Sequence, residues 1–382
     1  MSIALALYIH IPWCVQTCPY CDFNSHQLKG GIPEDEYIAN LLADLDQDIP
    51  LITHNGNIRP ISSIFIGGGT PSLLSVTAMS KLLHGVKQRL PINENAEISM
   101  EANPGTAEAA KFLGFTQAGI NRMSIGVQSF EQKHLSALGR IHDAQHSQNA
   151  LTFARELPLR SFNADIMHGL PEQSLQNALD DLTQAIAHKP PHLSWYQLTI
   201  EPNTRFHSKP PVLPDEDLLW EIQLHGQALL QSKGYEQYEV SAYGQNGHRC
   251  EQNLNYWRFS DYLGIGCGAH GKITNLSDFS ISRTEKVKHP KGYMNLTKPY
   301  MHKHIAVNDN ELAFEFFMNR FRLLEACPKD AFLQHTGRSL NAGEQNIIKK
   351  LVQKGLLEES VNTWQVSDLG RRYLNTVLEE FV

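Results

Sequence analysis

Short apolar runs and longer amphipathic stretches alternate along the first half of the chain. The runs fall at Leu5–Ile11, Ser62–Ile66, Glu97–Glu101, Arg122–Val127, Phe162–Ile166 and Leu193–Ile200. Between them, Glu36–Asp48, Thr77–Arg89, Glu131–Leu138, Ala144–Glu156 and Leu175–Ala187 carry the apolar spacing of surface helices. Strands alternating with helices predict βα units around a parallel sheet. Six such units predict an α/β fold, a partial (β/α)6 barrel whose chemistry sits at the C-terminal ends of the strands. A doubly wound open sheet fits the same alternation. The opening run MSIALALYIH lacks a basic segment and leads straight into His10 and Pro12, so it reads as a buried first strand rather than a signal peptide.

The rhythm breaks at KPPVLP, Lys209–Pro214. A helix (Asp215–Lys233), a strand (Tyr238–Ala242) and a glycine-rich aromatic section to Gly271 are expected next. Residues 272–310 read as polar and irregular, with His289, Pro290 and Pro299 as breakers. From Asn310 helices return, and Gly343–Val366 reads as a helix, a Lys354-Gly355 turn and a short hairpin, the outline of a winged-helix-like, mainly α module. The expected division is residues 1–240 for the barrel, 241–300 for an extension and connecting segment, and 301–382 for the C-terminal module.

Composition narrows the function classes. The chain has 382 residues, 41% hydrophobic and 19% charged, within the ordinary globular range. A net charge of −7 argues against a broad nucleic-acid-binding face. No apolar stretch approaches the roughly 18 residues a spanning helix needs. Of six cysteines, Cys14, Cys18 and Cys21 are clustered while Cys250, Cys267 and Cys327 are scattered, unlike a disulfide framework and consistent with free thiols in a reducing cytoplasm.

The cluster lies in His10-Ile-Pro-Trp-Cys14-Val-Gln-Thr-Cys18-Pro-Tyr-Cys21-Asp-Phe23, directly after the first strand. Thiolates at C-x3-C-x2-C spacing select zinc or an iron–sulfur cluster. Structural zinc wants a fourth ligand, here His26 or a distant residue. A [4Fe–4S] cluster on three cysteines instead leaves one iron open. Pro12 and Pro19 stiffen the loop, and Trp13, Tyr20 and Phe23 offer shielding from water. Polar groups recur at the ends of the following strands. They are Gly67-Gly68-Gly69-Thr70-Pro71, whose glycines admit a ligand close to the backbone, then Glu101, Gln128, Asp165 and the stretch to Thr199, with Arg140 placed to clamp a carboxylate. One shared site explains them better than six separate structural reasons.

C-x3-C-x2-C after a first strand resembles the radical SAM superfamily. YIHIPWC, IGGGTP, EANP, GVQSF, GRIH and DIMHGLP together resemble its HemN/HemW branch, the oxygen-independent coproporphyrinogen III oxidases and their haem-chaperone relatives, over essentially the whole chain. The resemblance implies a [4Fe–4S] cluster on Cys14, Cys18 and Cys21, with S-adenosylmethionine touching Tyr8, Gly68, Glu101 and the Tyr20 backbone. In the oxidase a second cofactor molecule uses the positions matching Gly69, Thr70, Gln128, Arg140, Asp165 and Thr199. The oxidase pattern has a further cysteine where this chain has Phe23, and a long extension before its first strand, so the resemblance leans to the haem-chaperone group. That group implies haem as ligand, haem-receiving respiratory proteins as partners, a homodimer, and a cytoplasmic location with peripheral membrane association. It also carries an HNxxYW motif, matched here by Asn253 to Trp257 including Tyr256, but with Gln252 in place of the histidine. A carboxamide is a poor haem ligand, so His248, Cys250 and the nearby His270 enter as candidates. A hydrogen-abstracting enzyme and a purely structural iron–sulfur protein are the competing readings.

Overall fold

The computed structural model describes residues 3–105, 109–295 and 299–382. Six parallel strands form where the apolar runs lie: β1 Leu5–Ile11, β2 Ile61–Gly68, β3 Ile92–Ala102, β4 Arg122–Gln128, β5 Ser161–His168 and β6 His192–Gln197. Strands covered on both faces read as nearly continuous apolar runs, as LALYIHI does in β1. The returning helices are α1 Glu34–Asp48, α2 Val76–Arg89, α3 Phe112–Ala118, α4 Ala144–Glu156 and α5 Leu175–Ala187, followed by α6 Glu216–Ser232. Reciprocal capping boxes mark two of their starts. Asp143 and His146 box the first turn of α4, and Ser174 and Asn177 that of α5.

The sheet then grows at both edges. β7 Glu236–Glu239 and β8 Ala242–Gly244 add antiparallel strands beyond β6, in place of the single strand expected at Tyr238–Ala242. After a short helix, α7 Glu251–Trp257, the chain crosses to the other edge. There β9 Asp261–Ile265 lies parallel to β1, a seventh parallel strand, and β10 His270–Thr274, β11 Ile281–Lys286 and β12 Met301–Ala306 follow antiparallel. The order is β7-β8-β6-β5-β4-β3-β2-β1-β9-β10-β11-β12, so the barrel is open and the sheet mixed.

Residues 272–310 are therefore not irregular: most of β10 and the whole of β11 and β12 lie there, although residues 296–298 fall outside the described ones. Two physical facts hide these strands. β12, MHKHIA, is the exposed edge and needs no apolar face. β11, ISRTEK, buries Lys286, whose Nζ is met by Asp44 and by Asp48 Oδ2 at 2.6 Å. Paired charge inside a sheet looks like surface in a sequence.

The C-terminal part holds α8 Leu312–Arg320, α9 Ala342–Gln353 and the hairpin Leu357–Glu359 with Thr363–Val366, joined by Cys327–Pro328 as a third strand. Phe316, Phe317, Phe332, Trp364 and Phe381 fill its own core, which reaches Phe259 and Ile281 of the extension. No described helix is long and apolar enough to cross a membrane.

Candidate functional site

The cysteine loop hangs between four anchors. Gly69 N donates to Ile11 O at 2.7 Å and Thr70 N to Trp13 O at 2.8 Å, joining it to the end of β2. A Cβ on Gly69 would stand 2.6 Å from Trp13 O, so only glycine lets the two segments meet. Asn24 Nδ2 donates to Cys267 O and Lys288 O at 3.0 and 2.9 Å, binding the loop to the extension. Phe206 N donates to Pro19 O at 2.9 Å, and Gln16 Nε2 to Gly139 O at 3.1 Å.

Cys14, Cys18 and Cys21 line one cavity of ≈ 450 Å³ at the C-terminal ends of the parallel strands. Burial pushes the Cys14 and Cys21 thiols up, and neighbouring thiols of the same loop add to the rise. Each sulfur has a polar neighbour: Thr70 Oγ1 donates to Cys14 Sγ at 3.4 Å, Arg140 Nη1 to Cys18 Sγ at 3.6 Å, and Ser25 Oγ lies 4.0 Å from Cys21 Sγ. Among the described residues no three His, Cys, Asp or Glu side chains gather about one ion position. A cubane takes each thiolate on a different iron, so its ligands stand further apart than those of a single ion. His26 does not line this cavity: its Nε2 donates to Lys288 O at 3.2 Å and its ring packs on His289. The donor set fits a [4Fe–4S] cluster.

Around the cavity stand ionisable groups that form no ion pair among the described residues. Arg140 is buried, and its Nη2 donates to Asn103 Oδ1 at 2.8 Å and Gly126 O at 2.9 Å, with no carboxylate partner among the described residues. Glu101 makes no ion pair there either. Its Oε2 accepts Gly68 N–H at 3.0 Å, while burial and the nearby Asp165 push its carboxyl up to about 8. Asp165 is likewise raised by burial, and is held by Ser124 Oγ and Asn163 Nδ2 at 2.9 and 2.7 Å. Gln128 sits at φ 69°, a left-handed conformation unusual for a side-chain-bearing residue at a strand end, and its Oε1 accepts Tyr196 O–H at 2.8 Å. Thr199 stands at the rim, donating to Glu201 Oε1 at 2.9 Å, and Tyr20 lines the wall. One reading of the glycine loop changes. The amides of Gly68, Gly69 and Thr70 all donate within the chain, so this turn offers close approach rather than free N–H groups.

A second cavity, ≈ 710 Å³, adjoins the first and shares Asp22, Phe23, Gly68 and Glu101 with it. Its walls are Tyr8 and His10 of β1, Tyr256 and Trp257 of α7, Tyr262 of β9, and His270, Arg283 and Lys288 of the extension. Tyr8 thus stands in this second cavity. Asn253, His248 and Cys250 line neither. Cys250 is buried with its Sγ donating to Glu97 Oε1 at 3.5 Å. Gln252 is fully buried: its Oε1 accepts Ser63 O–H at 2.7 Å and its Nε2 donates to Tyr256 Oη at 2.9 Å, bracing Tyr256 from behind.

Residues 8–182 match the radical SAM superfamily and residues 307–373 the HemN C-terminal domain. The chain is 55% identical over 378 residues to the heme chaperone HemW of Escherichia coli strain K12, covering 99% of this chain and 98% of that one. It belongs to the HemW family. The Bacillus subtilis strain 168 heme chaperone HemW is 32% identical across 98% of both chains. The coproporphyrinogen III oxidase HemN of E. coli superposes with a TM-score of 0.82 at 22% identity, covering 99% of this chain and 90% of that one, which shows the fold.

Membership of the HemW family, within the radical SAM superfamily, carries the cluster and S-adenosylmethionine as family cofactors. The structure adds residues that sequence reading passed over. Asn103 stands in the quoted EANP and links Arg140 to Thr70 Oγ1, to which its Nδ2 donates at 3.2 Å. Tyr196 orients Gln128. Tyr262, Arg283 and Lys288 had no motif to point to them.

Proposed function

We propose that this chain is a haem chaperone. It holds a [4Fe–4S] cluster on Cys14, Cys18 and Cys21, takes S-adenosylmethionine beside it, binds haem in the adjoining cavity and passes it to haem-receiving proteins, respiratory ones among them. The observation that carries this reading is the second cavity itself. An aromatic wall with cations at its rim, opening beside the cysteine cavity, is the lining that a flat macrocycle with carboxylates asks for. A cytoplasmic location, peripheral membrane association and a homodimer belong to the same reading and rest on the family alone.

The chain's own residues divide the task. Held by Cys14, Cys18 and Cys21, the cluster would supply an electron and an iron position left open for a methionine moiety. Arg140, lacking a carboxylate partner, offsets negative charge on the thiolates. Glu101, largely protonated at neutral pH while its cavity is empty, gains an acceptor role once an ammonium or hydroxyl stands beside it. Gln128 and Asp165 present hydrogen-bonding edges on the opposite wall. Phe23, 61% exposed, lies where the two cavities meet and offers both an apolar face.

The test is anaerobic. Cluster-reconstituted protein with S-adenosylmethionine and reductant is given coproporphyrinogen III, and separately haem followed by an apo-haemoprotein acceptor. Saturable haem binding and transfer, with no protoporphyrinogen, is the expected result. Protoporphyrinogen formation would replace the proposal with the oxidase reading, and failure to bind haem would end it.

A further inference from the structure

Haem iron in proteins takes imidazole, thiolate, thioether or phenolate as axial ligand. The second cavity offers two histidines and three tyrosines, and all but one are already engaged. His10 Nε2 faces Asn24 O at 2.9 Å, and a carbonyl only accepts, so that nitrogen carries the proton. His10 Nδ1 is then the acceptor for Tyr8 O–H at 3.0 Å. Both ring nitrogens of His10, and the Tyr8 hydroxyl, are thereby committed. Tyr256 Oη accepts from Gln252 and Tyr262 Oη from Arg283 Nη1 at 3.1 Å, and burial keeps both phenols protonated. Lys272, at the floor, is held by Asp261 Oδ1 and Phe259 O, both at 2.9 Å.

His270 is different. It is the first residue of β10, its side chain makes no hydrogen bond among the described residues, and it lines the cavity while remaining exposed. Burial and the cations Lys288, Lys303 and Arg283 outweigh Glu285 and push its imidazole down, so it is neutral with a lone pair at pH 7. At the rim, Glu285 is shared by Lys288 at 2.8 Å and Lys303 at 3.0 Å, which leaves positive charge in excess there.

We propose that His270 is the axial haem ligand of this chain, with the macrocycle against Tyr256, Trp257 and Tyr262 and its carboxylates toward Lys288. The proposal deepens the haem-chaperone reading and rests on it. It also accounts for the tolerated replacement at Gln252, which works behind Tyr256 and does not face the ligand.

The test titrates haem, and separately iron-free protoporphyrin IX, into the cluster-loaded chain, read by difference absorbance and electron paramagnetic resonance. His270→Ala should weaken haem at least about tenfold, the loss that even an outer neighbour of a metal ligand produces. It should also abolish the imidazole-ligated spectrum, which added imidazole restores, and leave protoporphyrin IX binding unchanged. If the wild type binds haem and His270→Ala keeps its affinity and spectrum, His270 is not the ligand and the chaperone reading stands. If the wild type binds neither porphyrin, the chaperone reading itself fails. Equal loss of both porphyrins in His270→Ala would mean that the residue shapes the cavity without ligating iron, and would also overturn the proposal.

Discussion

The two cavities share a wall but are assembled by different rules. The cysteine cavity sits where βα topology always delivers side chains, at the C-terminal ends of successive parallel strands. Its residues therefore come in sequence order, a few per strand, and its ionisable groups form no ion pairs among the described residues. The aromatic cavity is built across the seam between β1 and β9, from segments far apart in the chain. Most of its polar groups are paired internally, and His270 stands out because it is not. An uncompensated charge marks the first cavity, an uncommitted nitrogen the second.

The comparison breaks most visibly if either cavity is emptied of its defining group. Cys18→Ala should abolish cluster assembly, measured as iron and sulfide per chain, while the fold survives because the loop's anchors are backbone atoms and the side chains of Gln16 and Asn24. Lys286→Met strikes the other cavity's support. It leaves Asp44 and Asp48 buried without their cation, a change that costs about 3–5 kcal/mol and is read by denaturant unfolding. Retention of full stability would show that β11 is held by its ladder alone. Trp257→Ala should weaken iron-free protoporphyrin IX by roughly tenfold, about 1.4 kcal/mol, and leave cluster content untouched.

A pH test separates the cavities more finely. Glu101 has its carboxyl raised to about 8 in the folded chain, mainly by burial, against an ordinary 4.5. The folded state then holds the proton that the unfolded state has lost, so this group lowers stability as pH rises from 4.5 towards 8. In cluster-free protein, Glu101→Gln should raise Tm relative to the wild type at pH 8 and have little effect near pH 4.5. An equal effect at both values would mean that Glu101 is already ionised and paired. Smallest of all, Tyr256→Phe removes one buried hydrogen bond with Gln252, a loss of about 1 kcal/mol.

Much of the first cavity was legible in the sequence because chemistry and topology speak together there. The β1 run fell at Leu5–Ile11, as observed, and the cysteines follow it directly. Asn103 escaped because an amide that positions Arg140 carries no signature of its own. The second cavity stayed hidden for three reasons. β9 continues the parallel sheet after a chain crossing that no local pattern announces. β10 to β12 are polar strands, one an exposed edge and one with its charge paired inside. The motif Asn253–Trp257 drew attention to a helix of which only Tyr256 and Trp257 face the ligand space.

The pairing of β1 with β9 sets the order in which the molecule is finished. The first strand cannot be flanked on both sides until residues more than 250 positions later have left the ribosome, as the register Leu5↔Asp261 requires. Contacts this remote in sequence form late and slowly, since the intervening chain must first be closed into a loop. Asn24, which ties the cysteine loop to Cys267 and Lys288, has to wait for the same event. A nascent chain stalled before residue 261 would display the cysteine loop with one side open, so pulse-labelling of Cys14, Cys18 and Cys21 during synthesis would time the closing of the site.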